Sequence, residues 1–496
     1  MVTFPNSFRR LPLVAALLLA TATAAAPPPP ALQPSSIISD NAMGMAVTIS
    51  TTGAIDLTNP FFQSLGSNGR TCASCHQPSE GWTVTPMRLQ QRFDASGGTD
   101  PIFRTNDGAH SPLADVSTLE ARRNAYNMLL SKGLIRVGMP IPAGAEFELV
   151  AVDDPYAYAN ASDLSLFRRP LPSTNLKFLN TVMWDGRETF KDSTSADCLH
   201  APSLTCFATL HTNLADQANG ATLGHAQGAV ALTASQQDAI VAFESSLYTA
   251  QFYDDEAGYL GARGGGGGPQ RLVDQAYWFG INDVVSGDYR TGAQFNPNAM
   301  TLYTPWASPR LRRPTLDQLQ PNLKQASPDN AGVVDGVGAA RRSIARGEAL
   351  FNSKLITITG VKGLNDDLDM PVLAGTCTTC HDAPNAGNHS IPAPLDIGVA
   401  DASRRTPDMP LYTLRNRTTL ETVQTTDPGR ALVTGKWVDI GRFKGPTLRA
   451  VATRAPYFHN GSARDLVDVV QFYNTRFGIS LTAGEQDDLV AFLLAL

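Results

Sequence analysis

Long apolar runs and an excess of basic charge are both missing from this chain of 496 residues. Beyond the amino terminus, no segment approaches the roughly 18 uninterrupted apolar residues of a spanning helix, so no stable membrane span is expected. The formal net charge of −6 at pH 7 argues against nucleic acid as a partner. Strand-like alternation is sparse, with Ile135–Val137 and Phe147–Val152 as the candidates. The predicted fold class is therefore mostly α.

Cysteine is also scarce, and four of the six cysteines fall in two copies of one motif. The copies are Cys72-Ala-Ser-Cys75-His76 and Cys377-Thr-Thr-Cys380-His381. C-x-x-C-H is typical of covalent haem c attachment, in which both thiols bond the haem and the histidine ligates its iron. A thioredoxin-like pair or half a zinc site also uses C-x-x-C, but each leaves the histidine unexplained twice. The sequence therefore predicts two covalently bound haem c groups, with His76 and His381 as iron ligands.

The amino terminus has the pattern of a signal peptide. Arg9-Arg10 is a positive region, Leu11–Leu19 a short apolar run, and Ala22-Thr23-Ala24 a small-residue cleavage site. We expect a signal peptide over residues 1–24 and a flexible lead-in over 25–45. A retained anchor is the alternative. Because bacteria complete haem c attachment in the periplasm, that compartment is expected for the mature protein.

The two remaining cysteines, Cys198 and Cys206, stand eight positions apart. In an oxidising compartment such a pair is more often bridged than free, so a local disulfide is expected. The sequence does not show whether their Cβ atoms approach closely enough to bond.

Helix starts are marked by capping boxes, in which a serine or threonine and a residue three positions later cap each other. The boxes predict helices from residue 117 to Ser131, from Thr233 through Leu247, and from Thr482 to the last residue. Gly264–Gly268, followed by proline, predicts a flexible break. The aromatic, loop-rich stretch beyond it is either a packed subdomain or a lid over one haem.

Four further motifs resemble those of the bacterial dihaem cytochrome c peroxidases, a family that includes MauG-like enzymes. They are Trp184-Asp185-Gly186-Arg187, Arg346–Phe351, Phe443–Arg449 and Ala455–Gly461. The resemblance implies two cytochrome c-like haem domains with loop-rich insertions. The implied division is an N-terminal, peroxidatic domain over 46–255, an insertion over 256–340, and a C-terminal, electron-transfer domain over 341–496.

Carried over to this chain, the family pattern assigns three further residues. Trp184 falls at the family's inter-haem tryptophan, a stepping stone for electrons, with a large core aromatic as the alternative. Arg449 is implied to pair with a haem propionate, because a buried carboxylate needs a paired donor. His459 is implied to be a structural histidine that bonds propionate or backbone.

Two ligand positions depart from the peroxidase pattern. Tyr473 falls where peroxidases have the methionine ligand of the C-terminal haem, as in MauG-like members, and Met409 is the alternative ligand. The distal glutamate that moves a proton in peroxidases is replaced by Gln227, whose amide cannot do so. His225, two residues earlier, has a pKa range suited to that task, and a surface loop histidine is the alternative.

Two other family features lack a clear counterpart. The resting peroxidases' distal histidine has only His110 as a candidate. The family's calcium ion has an asparagine ligand that falls at Arg169, which cannot bind calcium. Calcium is therefore expected only if Asn175 or backbone carbonyls replace that ligand.

Three functions are compatible with this pattern. The favoured one is reduction of hydrogen peroxide with electrons from a small c-type cytochrome or cupredoxin. The second is a MauG-like or oxygenase-like enzyme that oxidises an organic or protein substrate. The third is a non-enzymatic electron carrier, which requires both irons to be closed by two ligands each.

Overall fold

The computed structural model describes residues 35–189, 205–307 and 336–496, and the helices and strands named below lie in these ranges. The helices are α1 (Pro86–Ser96), α2 (Leu119–Ala125), α3 (Asn127–Lys132), α4 (Thr205–Gly224), α5 (Ala234–Ser245), α6 (Gln270–Asp274), α7 (Gly336–Ser353), α8 (Ala431–Thr434), α9 (Leu466–Phe477) and α10 (Ala483–Leu494). The strands are β1 (Ile37–Asn41), β2 (Gly44–Ser50), β3 (Ile135–Met139), β4 (Phe147–Asp153), β5 (Leu164–Arg168), β6 (Leu247–Asp254), β7 (Gly258–Tyr259), β8 (Ile356–Thr359), β9 (Val372–Gly375), β10 (Leu411–Asn416) and β11 (Thr422–Thr425).

The capping boxes position two helices as predicted. Thr233 caps α5 by accepting a hydrogen bond from the Gln236 backbone N–H, and Thr482 caps α10 in the same way. The single helix predicted from residue 117 to Ser131 is wrong, because Tyr126 leaves helical geometry and separates α2 from α3. Helix α3 ends at Gly133, whose φ of 64° gives the left-handed C-cap expected of glycine.

Strand content is higher than the sequence indicates, so the mostly α class is right only in part. The strands form one four-stranded, one three-stranded and two two-stranded sheets in the described residues. The flexible lead-in is wrong for residues 37–45, because β1 pairs with β2 from Ile37 opposite Thr48 to Asn41 opposite Gly44. Backbone pairing therefore orders a segment whose composition lacks a strong strand signal.

One sheet joins the two halves of the chain. Strand β4 pairs antiparallel with β10, and β10 in turn pairs with β11. Close by, the buried Arg168 guanidinium donates to Asp427 at 2.7 Å and pairs with Asp185 at 2.5 Å. A buried arginine between two carboxylates fixes both segments, because breaking either pair leaves an uncompensated charge. The predicted domain boundaries stay a prediction, but strong contacts cross between the halves.

The glycine run at residues 264–268 is not a flexible break, because neighbouring residues pack closely against its backbone. A Cβ at Gly267 would lie 2.2 Å from the Leu260 Cβ, and one at Gly266 would lie 2.8 Å from a Leu302 side-chain carbon. Beyond the run, Tyr303 donates from its hydroxyl to the Ala495 carbonyl at 2.5 Å. The described part of the insertion is thus a packed subdomain against the carboxyl-terminal helices.

The carboxyl-terminal core forms where α7 packs against α10. A Cβ at Gly347 would lie 1.9 Å from the Asp488 carbonyl oxygen, so glycine lets the two helices approach this closely. Phe351 of α7 and Phe492 of α10 then meet with ring centroids 5.5 Å apart. Across the described ranges, no helix combines the length and apolar character needed to cross a membrane.

Candidate active site

The two C-x-x-C-H motifs adopt the same local structure. Each begins with a 3-10 turn, at Cys72–Ser74 and at Cys377–Thr379. The histidine backbone N–H then donates to the first cysteine's carbonyl, at 3.0 Å for His76 and 3.1 Å for His381. All four thiols are unbridged. The repeated turn presents two thiols and an imidazole in the same order at both places.

A backbone carbonyl orients each histidine. His76 Nδ1 lies 3.1 Å from the Trp82 carbonyl oxygen, and His381 Nδ1 lies 2.6 Å from the Gly387 carbonyl oxygen. Because a carbonyl only accepts, Nδ1 carries the hydrogen and Nε2 is left as the metal-binding nitrogen. Burial lowers the pKa of both imidazoles to about 4. Both are therefore neutral, the form that ligates iron.

Each motif opens into its own cavity, named here the His76 cavity and the His381 cavity. Among the described residues, the His381 cavity is walled mainly by aliphatic and aromatic side chains, with Lys444, His389 and His459 but no arginine or carboxylate. The described wall of the His76 cavity carries eight ionisable side chains besides its cysteines and His76: Arg70, Arg168, Arg169, Arg187, His225, Glu244, Lys444 and Arg454. The donor set of each cavity fits covalent haem c, and the His76 cavity adds a carboxyl, Glu244, and a histidine backed by a carboxylate, His225.

Trp184 lies between the cavities and lines both. Its indole Nε1 donates to the Arg169 carbonyl at 2.8 Å, and its own carbonyl accepts from the Lys444 backbone N–H at 2.9 Å. The indole ring also meets the His459 ring edge-on at 6.2 Å. The structure thus brings Trp184 next to both predicted haem sites, and its role in electron transfer stays a prediction.

His225 lies in the wall of the His76 cavity with a carboxylate behind it. Its Nδ1 is 2.5 Å from Oδ2 of Asp107, a residue only 5% exposed. The Arg70 guanidinium pairs with that same carboxylate and donates to the His225 carbonyl at 3.0 Å. Burial alone raises the pKa of Asp107, but the His225 and Arg70 contacts outweigh burial and lower it below the usual value. Asp107 is therefore an anion that orients the imidazole.

Gln227 does not share this position. Residue 227 has a φ of 53° in the turn after α4, and its side chain is exposed, outside both cavities. The His110 ring stacks on Tyr156 at 4.1 Å, and His110 lines neither cavity. The structure therefore argues against both residues on the distal side, and their roles stay predictions.

Tyr473 lies in the wall of the His381 cavity, on α9. Burial raises the pKa of its phenol, and the nearby thiols of Cys380 and Cys377 add to the shift. The alternative ligand, Met409, packs in a separate cluster with Met128 and other apolar residues and lines neither cavity. The structure therefore argues against Met409, and Tyr473 stays the predicted ligand.

The structure argues against the prediction that Arg449 pairs with a propionate. Its guanidinium is turned to the backbone, with Nε donating to the Leu496 carbonyl at 3.0 Å and Nη1 to the Asn385 carbonyl at 3.1 Å. Arg449 lines neither cavity. Its guanidinium instead links the backbone segments at Leu496 and Asn385 in the interior.

Two other cations are better placed for that role. Lys444 lines both cavities, and burial lowers its pKa to about 7, with the Arg454 charge adding to the shift. Arg454 lines the His76 cavity and keeps a buried Nε without a partner in the described residues. Both lie in or beside the family motifs, which was the available signal: Lys444 falls within Phe443–Arg449, and Arg454 directly precedes Ala455.

Glu244 is another residue of the candidate site that was not predicted from the sequence. It ends the apolar face of α5, is 7% exposed and lines the His76 cavity. Burial raises the pKa of its carboxyl to about 8. A carboxyl with this pKa holds its proton at neutral pH, so the cavity contains a protonated acid as well as His225. A single glutamate between phenylalanine and serine gave little sequence signal.

Asn175, the side chain expected to replace the calcium ligand, is already engaged, and so is Arg169, which stands at the ligand's position. The Asn175 amide donates to the Thr249 carbonyl at 2.8 Å and accepts from the Thr249 N–H at 2.9 Å. Arg169 donates to the carbonyls of Lys132 at 2.6 Å and Val84 at 2.8 Å. The fit for calcium at these residues is therefore poor.

Two other predicted residues have different outcomes. His459 lines the His381 cavity with its ring stacked on Phe443 at 3.9 Å, and its buried Nε2 lies 3.8 Å from Asp427 Oδ2 without a hydrogen bond in the described residues. That fits a structural histidine with one nitrogen available to a haem group. Cys198 lies outside the described residues, so its disulfide with Cys206 stays a prediction.

Within the described part of the insertion, residues 256–307, no side chain lines either cavity, so a lid is not formed there.

Sequence comparison finds partial similarity between this chain and known proteins. No family model matches the chain. A cytochrome-c peroxidase of Pseudomonas sp. (strain SCT), IdrP1, is 31% identical over 171 residues, which are 30% of this chain and 39% of that protein. IdrP1 of Denitromonas iodatirespirans is 32% identical over 140 residues, 24% of this chain and 36% of that protein. Part of this chain is therefore similar in sequence to cytochrome-c peroxidases.

The match to these cytochrome-c peroxidases is partial, since the chain spans less than two fifths of their length. Their names support an enzyme of the peroxidase type. A solved structure described as a MauG-like protein associated with microbial copper homeostasis is 15% identical. It covers 69% of this chain and 79% of that one with a TM-score of 0.27, which is too low to establish a common fold.

Proposed function

We propose that this relative of the cytochrome-c peroxidases is a periplasmic dihaem oxidoreductase that reduces hydrogen peroxide. Two electrons from a small c-type cytochrome or cupredoxin and two protons convert one peroxide into two waters. The observation that carries the proposal is the difference between the cavities. The His76 cavity holds His225 with its buried partner Asp107, whereas the His381 cavity has no arginine or carboxylate in its described wall.

The chain's own residues hold the cofactors and the proton. Haem c bound at each motif would supply a redox-active iron, with His76 and His381 as ligands. Since Asp107 engages Nδ1, His225 Nε2 is the nitrogen free to take a proton from one peroxide oxygen and return it to the other. Asp107 stabilises the imidazolium while it carries that proton, as a buried carboxylate does in a catalytic His–Asp pair.

The imidazole can regain its resting state because it is connected to solvent. The His225 side chain is 36% exposed, so the protons consumed in the reaction can arrive from bulk water. Arg70, 2% exposed and two residues before Cys72, fixes both members of the pair to the first haem motif. A relay held this way keeps its geometry while peroxide enters and water leaves.

Turnover with a reduced donor tests this function directly. Holoprotein is mixed with a pre-reduced small cytochrome c or with a reduced cupredoxin, and donor oxidation is followed optically as peroxide is added. We expect two donor molecules to be oxidised per peroxide consumed. If peroxide is not consumed with either class of donor, the proposal is wrong.

A second candidate, oxidation of an organic or protein substrate, is favoured by one observation. Tyr473 lies in the His381 cavity where a peroxidase would present methionine. An anionic oxygen ligand lowers the reduction potential relative to methionine, which makes reduction by an ordinary periplasmic donor less favourable. This candidate predicts that peroxide is consumed without donor oxidation when a suitable organic or protein substrate is present.

A further inference from the structure

Two carboxylates and one imidazole meet in the interior beside the second haem motif. Asp283 comes from the insertion, Asp382 directly follows His381, and His389 lies seven residues later. One ligand atom from each lies within 4.8 Å of the other two. The residues are 2%, 0% and 7% exposed, respectively, and His389 also lines the His381 cavity. The cluster therefore joins the insertion to the second haem site.

The hydrogen bonds in this cluster engage three of the four carboxylate oxygens and leave one without a partner in the described residues. Asp382 accepts from the Ser390 N–H at 2.6 Å, and its other oxygen lies 3.0 Å from His389 Nδ1. Asp283 Oδ1 accepts from the Val285 N–H at 3.1 Å and the Ser286 N–H at 2.7 Å. Asp283 Oδ2 is buried and has no partner in the described residues. A buried carboxylate oxygen without a partner lowers the stability of the folded protein. A hydrogen-bond donor or a cation bound to this oxygen would remove that cost.

The charges point to the kind of group. Neither aspartate forms an ion pair with a lysine or arginine in the described ranges, and His389 is the basic side chain that contacts Asp382. One imidazole carries at most one positive charge against two carboxylates. Buried charges are stable when they are paired or bind a metal. A cation between the three side chains would satisfy both the charge and the unused oxygen.

We propose that Asp283, Asp382 and His389 bind one divalent cation of the zinc class, with water as a further ligand. Two carboxylate oxygens and an imidazole nitrogen are a common three-residue donor set for such ions. The imidazole favours zinc and its first-row neighbours over calcium and magnesium, which prefer oxygen ligands throughout. The cation would fasten the insertion to the loop that contains Gly387, whose carbonyl orients His381.

Metal content measured on holoprotein tests the proposal. Untagged protein is treated with a chelator, dialysed against micromolar Zn²⁺, passed through a desalting column and analysed for zinc and iron by mass spectrometry. We expect one zinc per chain in the native protein. Asp283→Asn keeps the Oδ1 acceptor but loses the charge, and its zinc affinity should fall at least tenfold.

Asp288→Asn is the matched control. Asp288 is 8% exposed, lies in the same insertion, and accepts from the Arg290 and Thr291 backbone N–H groups in a similar turn, but it is not in the cluster. It should bind zinc as the native protein does. Zn²⁺ should also raise the unfolding temperature of the native protein and of Asp288→Asn, but not of Asp283→Asn. Equal zinc binding by all three proteins, or no zinc in any, would overturn the site. Uptake of Ca²⁺ but not Zn²⁺ would overturn the zinc class.

Discussion

The proposed role of His225 in proton transfer depends on two neighbours that are far from it in sequence. Asp107 is 118 positions away and Arg70 is 155 positions away, yet both contact the histidine or its carbonyl. An imidazole in a turn after a helix is by itself an ordinary surface feature. A buried carboxylate on Nδ1 and a cavity on the other side make it a candidate acid–base group.

Replacing this imidazole should impair the chemical step. His225→Gln removes the group that transfers the proton, so we expect kcat for peroxide reduction to fall by about 10² to 10⁴, with both haem spectra retained. Asp107→Asn should lower kcat in the same direction, because the amide no longer stabilises the imidazolium. Steady-state kinetics with a reduced donor measures both effects.

Gln227→Ala is the control, since Gln227 is exposed and outside both cavities. Its kcat should stay within about twofold of the native value, as expected for a surface change. A large loss in Gln227→Ala with an unaffected His225→Gln would contradict the assignment.

Trp184 supports a prediction about electron transfer. Trp184→Phe retains an aromatic ring between the cavities but is far harder to oxidise, so transfer from the second haem to the first should slow while both spectra persist. Stopped-flow reduction measures this lag. Trp306→Phe is the control, because Trp306 is buried in the insertion and lines neither cavity. Unchanged inter-haem kinetics in Trp184→Phe would leave Trp184 as a packing residue.

At the scale of single elements, α9 contains the residue predicted to be the second ligand of the C-terminal haem, Tyr473. The helical spacing of Leu466, Val470 and Tyr473 predicts this helix and the face that it buries, and the structure confirms the helix. The competing residue, Met409, precedes β10 and packs in a separate cluster outside both cavities, which no local pattern reveals. Periodicity predicts a face, whereas the choice between two ligands depends on tertiary packing.

Tyr473→Met should therefore raise the reduction potential of the haem at His381, because a neutral thioether stabilises ferric iron less than a phenolate does. Potentiometric titration followed by EPR measures the change. Met409→Leu should leave the potential and the EPR signal as they are. The opposite pattern, a shift with Met409→Leu alone, would make Met409 the ligand.

Helix α5 places a carboxyl where its ionisation should oppose folding. The pKa of Glu244 is about 8 in the folded protein, raised by burial from an ordinary value of 4.5. The unfolded chain therefore loses this proton first as the pH rises, and the contribution to stability falls between about pH 4.5 and 8. Within that window the slope is about 1.4 kcal/mol per pH unit.

Glu244→Gln should reduce the loss of unfolding free energy between pH 6 and pH 8 relative to the native protein, by about 2–3 kcal/mol from that slope. Denaturant unfolding at both pH values measures the difference. Glu256→Gln is the control, since Glu256 is exposed. If Glu244→Gln and the native protein lose stability equally, Glu244 does not hold its proton at neutral pH.

For the whole molecule, the two attachment motifs predict the mass. Intact protein after acid–acetone extraction should exceed the processed polypeptide by two haems. Replacing Cys72 and Cys75 with alanine should remove one, and replacing Cys377 and Cys380 should remove the other. Cys206→Ala should keep both. Haem lost on extraction of the native protein would contradict covalent attachment.

The sequence predicts the local parts of this molecule better than their assembly. The C-x-x-C-H motifs and the capping boxes at Thr233 and Thr482 depend on residues within a few positions, and the structure has the boxes as predicted. The surroundings of Arg449 and of the glycine run are not predictable from local sequence, because carbonyls and side chains distant in sequence contact them. Asp107 was missed for the same reason, since only the folded chain brings it to His225.

The pairing of β4 with β10 has a consequence for how the chain matures. Phe147 pairs with Asn416, so the edge of β4 that bonds β10 remains unpaired until more than half of the polypeptide has been synthesised after it. Contacts between such distant segments form slowly, and an unpaired edge invites association with other chains. We therefore expect the two halves to fold together rather than one after the other, and the early half to be prone to aggregation until the later half is present.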